Sequence, residues 1–466
     1  MQMLKSKIMM IGGLIFAFLI VFMFIRGTIY ERQANYQQVV KDIARNNVNP
    51  QTVMTPFIVV PVNKTRQCKQ DPQKICTYQT QLLITPQQSQ WDNQVKVDNN
   101  SFKRGIYRAM SYRNSLAIEG RFSINDTLLD ADTTQSIDWS KATMRFYVSD
   151  LRGLSSQPML TMAQQENRFE LPKQEQSHLL TLDYTQVALP NLEQMPIVDF
   201  KLEVDVSGMS ALQMIPLGDN LTVSMMANWP HASFWGDSLP IKQLNSQSFS
   251  ANWQNMYVSN RNTQLLDACL QSNREACTVL QKAFATQSTP KHDLAYAQQD
   301  QQTNTVGGFG VSFIQAVDVY LMSERSVKYA ALFLVITFGA FFLFETLKGL
   351  AIHPIQYSLV GAALAVFYLL LLSFSEHIGF VAAYSIAAVA CVSLIGFYVR
   401  YVLHSVKHAF FLATVLGAMY GAMLVILQSE DFTLVLGAVL VFMLIATMMF
   451  LTRHVNWYQL GQDRVE

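Results

Sequence analysis

Ile8–Ile25 reads IMMIGGLIFAFLIVFMFI, an uncharged run bracketed by Lys5 and Lys7 on one side and Arg26 on the other. At 1.5 Å per residue it covers about 27 Å, most of a ~30 Å hydrocarbon core. A secretory signal peptide has an apolar region of only ~7–15 residues followed by a small-residue cleavage site. This run is longer and no A-x-A-like site precedes Arg26, so it reads as an uncleaved membrane anchor. The whole chain agrees. Its 466 residues are 50% hydrophobic and only 14% charged, against roughly a quarter charged in soluble domains. A net charge of +1 lacks the basic excess needed to neutralise nucleic-acid phosphates, and 29 Phe with 22 Met exclude a disordered polar chain.

No comparable run follows until Tyr329, after which five come in close succession: Tyr329–Leu347, Ile355–Ser375, Ile378–Val399, Ala409–Leu427 and Phe432–Thr452. Short connections force antiparallel neighbours, so the expectation is a bundle of six transmembrane helices. Lys348, Arg400, Lys407 and Arg453 all fall on one side of it, while the opposite turns, Glu376-His377 and Ser429-Glu430-Asp431, carry no Lys or Arg. The positive-inside rule makes the basic side cytoplasmic. Lys5 and Lys7 then fall inside as well, so both termini are expected in the cytoplasm.

This direction sends the 300 residues from Thr28 to Val327 to the outer face, the periplasm of a bacterium. The insertion shows repeated period-two alternation, the mark of half-buried strands. Val198, Phe200, Leu202, Val204 and Val206 alternate with Asp199, Lys201, Glu203 and Asp205; Leu116, Ile118, Phe122 and Ile124 keep one parity, as do Met144, Phe146 and Val148, and Leu221, Val223, Met225 and Trp229. Antiparallel sheets packed as one or two sandwich-like lobes follow. Helical pieces are expected at Tyr30–Ala44, ended by Asn46, Asn47 and Pro50, and around Leu265–Phe284. The Gln-rich stretch Gln298–Gln302 reads as a linker. The organisation is therefore 1–27 anchor, 28–327 β-rich periplasmic domain, 328–453 five-helix bundle and 454–466 cytoplasmic tail.

Cys68, Cys76, Cys269 and Cys277 lie in the exported portion, where an oxidising compartment pairs thiols; Cys391 is within a span. Of three connectivities, equal spacing and the Asp71-Pro72 turn favour Cys68 with Cys76 and Cys269 with Cys277. Eight residues of unbroken helix would separate Cα atoms by about 12 Å, beyond the reach of a disulfide. The second pair therefore requires a helix break near Ser272-Asn273.

Enzyme signatures are missing: there is no P-loop, no G-x-G-x-x-G after a strand, no H-E-x-x-H and no G-x-S-x-G. No catalytic residue, cofactor or metal site is expected. Trp229-Pro230-His231 reads as a turn with a packed aromatic rather than a site. His404 and His408 share a helical face near His353 and His454, and read as interfacial residues beside lipid headgroups. Glu345 lies near the inner edge of the bilayer, where facing lipid is costly; it is expected to point into the bundle toward His353 or Tyr357, with snorkelling into headgroups as the alternative. Glu376 and His377 are placed in the tight turn at the outer mouth of the bundle. They either cap backbone groups there or pair with Arg325 or Lys328 and so couple domain to bundle.

Several ordered segments resemble the CreD family of bacterial inner-membrane proteins, also called cell envelope integrity proteins. They include Glu31-Arg32, TPFIVVPV at 55–62, Arg104-Gly105-Ile106-Tyr107, VSDLRG at 148–153, NWPHASFWGD at 228–237 and Lys328-Tyr329-Ala330. FFLFET at 341–346, HPIQY at 353–357, FYLLLLS at 367–373, Ser375-Glu376-His377 and Gly379-Phe380 complete the series. The resemblance spans nearly the whole chain. It implies a non-enzymatic membrane protein tied to envelope maintenance and to responses to wall-active agents, and it supplies no catalytic residue. Its partners would be membrane lipid and a periplasmic or cell-wall component. A transporter or lipid-handling protein is the alternative, weakened by the lack of duplicated halves or Gly/Pro-broken spans.

Overall fold

The computed structural model describes residues 2–68, 73–124, 134–172, 183–190, 192–255, 257–285, 306–313, 319–348, 352–402, 405–429 and 433–453. The chain divides into a helical unit, 1–37 with 316–466, and a β-rich unit, 38–315. Helix α1 (Gln2–Asn46) contributes to both. It contains no proline, and it ends where the Asn47 side-chain amide and backbone N–H both donate to the Ile43 carbonyl, at 2.9 and 3.1 Å. These bonds satisfy a carbonyl that the helix end would otherwise orphan.

Three sheets build the β-rich unit. The largest has eight strands in the order Ile241–Leu244, Phe249–Asn255, Asn220–Ala227, Gln88–Arg104, Tyr107–Ser123, Ile197–Met209, Met159–Met162 and Gln165–Arg168. Its pairings are antiparallel except that Asn220–Ala227 runs parallel to Gln88–Val95. A second sheet orders Tyr184–Ala188, Thr143–Tyr147, Phe57–Gln67 and Ile75–Ile84, with Thr134–Ile137 also bonded to Phe57–Gln67. The third orders Gln51–Met54, Ala211–Ile215, Phe309–Phe313 and Ala232–Gly236. The strand alternation read from Val198 to Val206 holds: all five apolar side chains are buried while Asp199 and Glu203 are exposed. One apolar core joins the three sheets, with Trp91, Trp253, Phe122 and Phe146 fully enclosed. Trp229 lies beyond its strand, partly buried against this core and edge-to-face with His231 at 6.3 Å.

The helical piece expected around Leu265–Phe284 is two helices, α2 (Tyr257–Leu270) and α3 (Arg274–Ala285). The break falls at Ser272, whose φ is +73°, and at Asn273, whose carboxamide oxygen accepts the N–H groups of Glu275 and Ala276 as an N-cap. Cys269 and Cys277 thereby come to 4.7 Å between Cα atoms and are disulfide-bonded. Cys68 and Cys76 are bonded likewise at 5.1 Å. Helices α2 and α3 share a second, smaller core with Phe57, Tyr147 and Ile215.

The helical unit continues with α4 (Val319–Lys328), α5 (Ala330–Lys348), α6 (Pro354–Ile378), α7 (Phe380–Val402), α8 (Val406–Gln428) and α9 (Thr433–Thr452). Among the described residues, five stretches are long and apolar enough to cross a membrane: one within α1, one covering Val319–Leu343, and α6, α7 and α8. The span expected to begin at Tyr329 thus has a helical turn region before it. Its polar content, Ser323 to Lys328, hid α4 from a reading based on apolar runs. Helices consecutive from α5 to α9 pack against each other, and α4 lies against α5, α6, α7 and α8. Gly361 of α6 admits the ring of Phe18 from α1 so closely that an added Cβ would lie 2.4 Å from it.

Candidate functional site

Three polar clamps hold α1, two through its charged side chains Lys7 and Arg26 and one through the Arg45 backbone carbonyl. At its start Lys7 pairs with Glu345 of α5, a carboxylate only 5% exposed. Glu345 also accepts the Tyr357 hydroxyl at 3.0 Å and the Ile352 backbone N–H at 3.1 Å. Its donors thus come from α1 and from the stretch that opens α6. A carboxylate in this position is stable only because it is so fully bonded. Tyr357 is itself enclosed by Phe338 and Phe341, at 5.5 and 5.7 Å between ring centres.

Nineteen residues further on, about 28 Å along the helix, Arg26 bonds Glu324 of α4 at 3.0 Å. Glu324 takes two more partners, the Tyr30 hydroxyl at 2.7 Å and Lys328 at 3.2 Å. The rise between these two clamps matches the ~30 Å thickness of a hydrocarbon core. Adjacent to the second clamp, Tyr36 of α1 packs at 5.8 Å against Tyr320 of α4, whose hydroxyl donates to Glu376 at 3.0 Å.

The third clamp holds the far end of α1 within the β-rich unit. Arg152 donates to the Arg45 carbonyl at 2.8 Å, a cation at a helix C-terminus where the macrodipole favours it. Asp150 fixes that guanidinium at 2.6 Å and also accepts from the Asn49 N–H at 3.1 Å. Burial pushes the Asp150 carboxyl up, but the bonds from Arg152 and Asn49 outweigh it and hold the group below the usual carboxylate range. Gln51 ties the same turn to the sheets, donating to the Asp150 and Ser207 carbonyls at 2.9 and 3.1 Å. Gly153 is required here, since a Cβ would lie 2.4 Å from the Ser207 backbone carbonyl oxygen.

The sequence-expected residues fall as follows. Glu345 points inward and meets Tyr357, but His353 does not reach it; His353 instead caps α6 through its own ring and a reciprocal bond to Gln356. Glu376 and His377 lie in the last turn of α6 rather than in the connecting turn, which is the single residue Gly379 at φ +84°. Glu376 bonds Tyr320, not Arg325 or Lys328: Lys328 is held by Glu324 one helical turn away, and Arg325 forms no ion pair among the described residues. His377 contacts the Ser373 carbonyl. His408 bonds Ser405 at 2.7 Å, while His404, His454, Glu430, Asp431 and the Gln298–Gln302 linker lie outside the described residues. Among the described residues no three His, Cys, Asp or Glu side chains gather as a metal site.

The family profile described as inner membrane protein CreD matches residues 3–458. The chain belongs to the CreD family. It is 29% identical to the inner membrane protein CreD of Escherichia coli (strain K12), an alignment covering 100% of this chain and 97% of that one. No solved structure matches. Family membership and several apolar helices together make this a multi-pass membrane protein of the CreD type.

The CreD-like segment VSDLRG acquires a physical meaning, because its Asp150 and Arg152 form the third clamp. Sequence reading gave that segment no role, and it also passed over Glu324, Tyr320 and the pairing of Lys7. The available signals were modest: an i,i+4 Glu324–Lys328 pair, and basic residues spaced one membrane thickness apart on a single helix.

Proposed function

We propose that this chain is a non-enzymatic envelope-integrity and stress-response protein of the inner membrane, in which α1 couples the β-rich unit to the membrane bundle. In this reading α9 is the sixth span, both termini are cytoplasmic, and the β-rich unit lies in the periplasm and engages an envelope partner. The observation that carries the reading is the three-clamp arrangement on one helix: Glu345 and Glu324 hold α1 to the bundle, and Asp150 with Arg152 holds its far end. The charge bias of the short loops supports the direction. The uncharged stretch from Thr433 to Thr452, mean hydropathy aside, is long enough to cross at 20 residues.

Deleting the gene should raise envelope permeability or sensitivity to wall-active agents, and the wild-type chain should restore both. Unchanged permeability, cell shape and drug tolerance would refute the envelope role. A reporter active only in the periplasm should be silent when fused at Gly349 or after Glu466; activity at either position would refute the six-span topology.

A further inference from the structure

The solvent-exposed face of the eight-stranded sheet carries an open, shallow groove of about 1030 Å³. Its floor is two rows of side chains that cross neighbouring strands. Strand register places Asn220, Gln88, Arg121 and Asp199 in one row. Thr222, Gln90, Glu119, Lys201 and Thr161 form the other. With strands ~4.8 Å apart, the rows run about 14 and 19 Å. The hairpin turn at Ala163-Gln164 and the segment Met195-Pro196-Ile197 also line it. Ile197 is 62% exposed there.

The charges in this floor are satisfied within the protein. Arg121 grips Asp199 through two bonds of 2.6 and 3.2 Å, and Lys201 lies 3.6 Å from Glu119 and 2.9 Å from Glu203. Arg121 and Lys201 are thus both taken up by the carboxylates around them, Asp199, Glu119 and Glu203, so an anionic phosphate finds no free countercharge. Presented to the groove besides these are the amides of Gln88, Gln90 and Asn220 and the hydroxyl of Thr222, all exposed. Amides and hydroxyls both donate and accept, which matches a ligand that also does both. An extended peptide is recognised chiefly by main-chain bonds at a sheet edge; here the strand backbones are already paired on both sides and only side chains face the groove. Hydroxyl and amide substituents on a neutral ring, with C–H faces for Ile197, meet these conditions.

The geometry points to this groove as a binding site for an uncharged oligosaccharide. The inference rests on the reading of the β-rich unit as the part that meets envelope material, but its test is separate. Full-length protein in lipid nanodiscs is titrated by calorimetry with an N-acetylglucosamine hexamer, a maltose-type hexamer and an uncharged hexapeptide. Saturable binding of at least one glycan is expected, with the peptide silent. Gln90→Ala with Thr222→Ala should weaken glycan binding about tenfold while leaving the thermal transition unchanged. Both are exposed side chains, so the fold should tolerate them; Gln88→Ala serves as a second variant if the pair does not. No binding of either glycan, equal binding by the variants, or preference for the peptide would overturn the assignment. A chain that binds no glycan yet restores envelope permeability would refute the groove and leave the coupling role standing.

Discussion

The two ends of the apolar part of α1 are held by the same chemistry under different conditions. Lys7–Glu345 sets a half-exposed cation against a carboxylate whose side chain is 6% exposed, with the Tyr357 hydroxyl and Ile352 N–H as its other donors. Arg26–Glu324 places a 44% exposed guanidinium on a carboxylate that Lys328 and Tyr30 also hold. At the Lys7 end one acid of α5 joins α1 to the start of α6, so its loss strands several donors. At the Arg26 end two cations share one acid, so either can leave and the other remains. The Lys7 clamp is thus a fixed point, and the Arg26 clamp can exchange partners without collapse.

The largest effect should come from Glu345→Ala, which leaves Tyr357 and Ile352 without an acceptor. A loss of about 2–5 kcal/mol is expected from those two stranded donors, read as a lowered unfolding temperature of protein in detergent or nanodiscs. Glu345→Gln should recover part of it, because the amide oxygen still accepts. Equal stability of Glu345→Ala and wild type would erase the distinction between the two ends.

Asp150→Asn should cost less, about 1.5–3 kcal/mol at neutral pH, the range for hydrogen bonds to a charged group. Its carboxyl titrates lower in the fold than when unfolded. The stabilisation is therefore complete above the unfolded value of ~3.9 and is lost as pH falls through the folded value. Wild type should lose stability on acidification in that window, and the variant should lose less of it. Parallel acid profiles for the two would show that this carboxylate does not clamp α1.

The smallest effect belongs to Arg26→Ala. Because Lys328 and Tyr30 stay on Glu324, the unfolding temperature should shift little. Arg26→Ala combined with Lys328→Ala should lower it by more than the sum of the single changes, since each cation covers for the other. Additive behaviour would mean that Arg26 and Lys328 do not substitute for one another.

Much of this was readable from residues whose signal is local. The alternation of Val198 to Val206, the uncharged run from Ile8 to Ile25 and the geometric need for a break at Ser272-Asn273 each depend on a few neighbouring positions. Other features depend on distant chain. The parallel pairing of Asn220–Ala227 with Gln88–Val95 joins strands more than a hundred residues apart, and alternation alone does not choose partners. Glu376 was recognised as a polar residue at the bundle's edge, but its Tyr320 partner sits on α4, a helix too polar for an apolar-run search to find. Glu345 was readable as an inward acid because depth made lipid exposure costly. Lys7 as its partner was not, since nothing local links positions 338 residues apart.

The central claim is that α1 carries the coupling. Gln37 is exposed in α1 between the Arg26 clamp and the far end, and a proline there breaks the helix ladder at a cost of ~3 kcal/mol or more. The direct measurement is envelope permeability in cells producing Gln37→Pro or Gln37→Ala at equal membrane levels, with limited proteolysis showing that both units remain folded. The coupling account predicts that Gln37→Ala restores the barrier and Gln37→Pro does not. Full restoration by folded Gln37→Pro would contradict it.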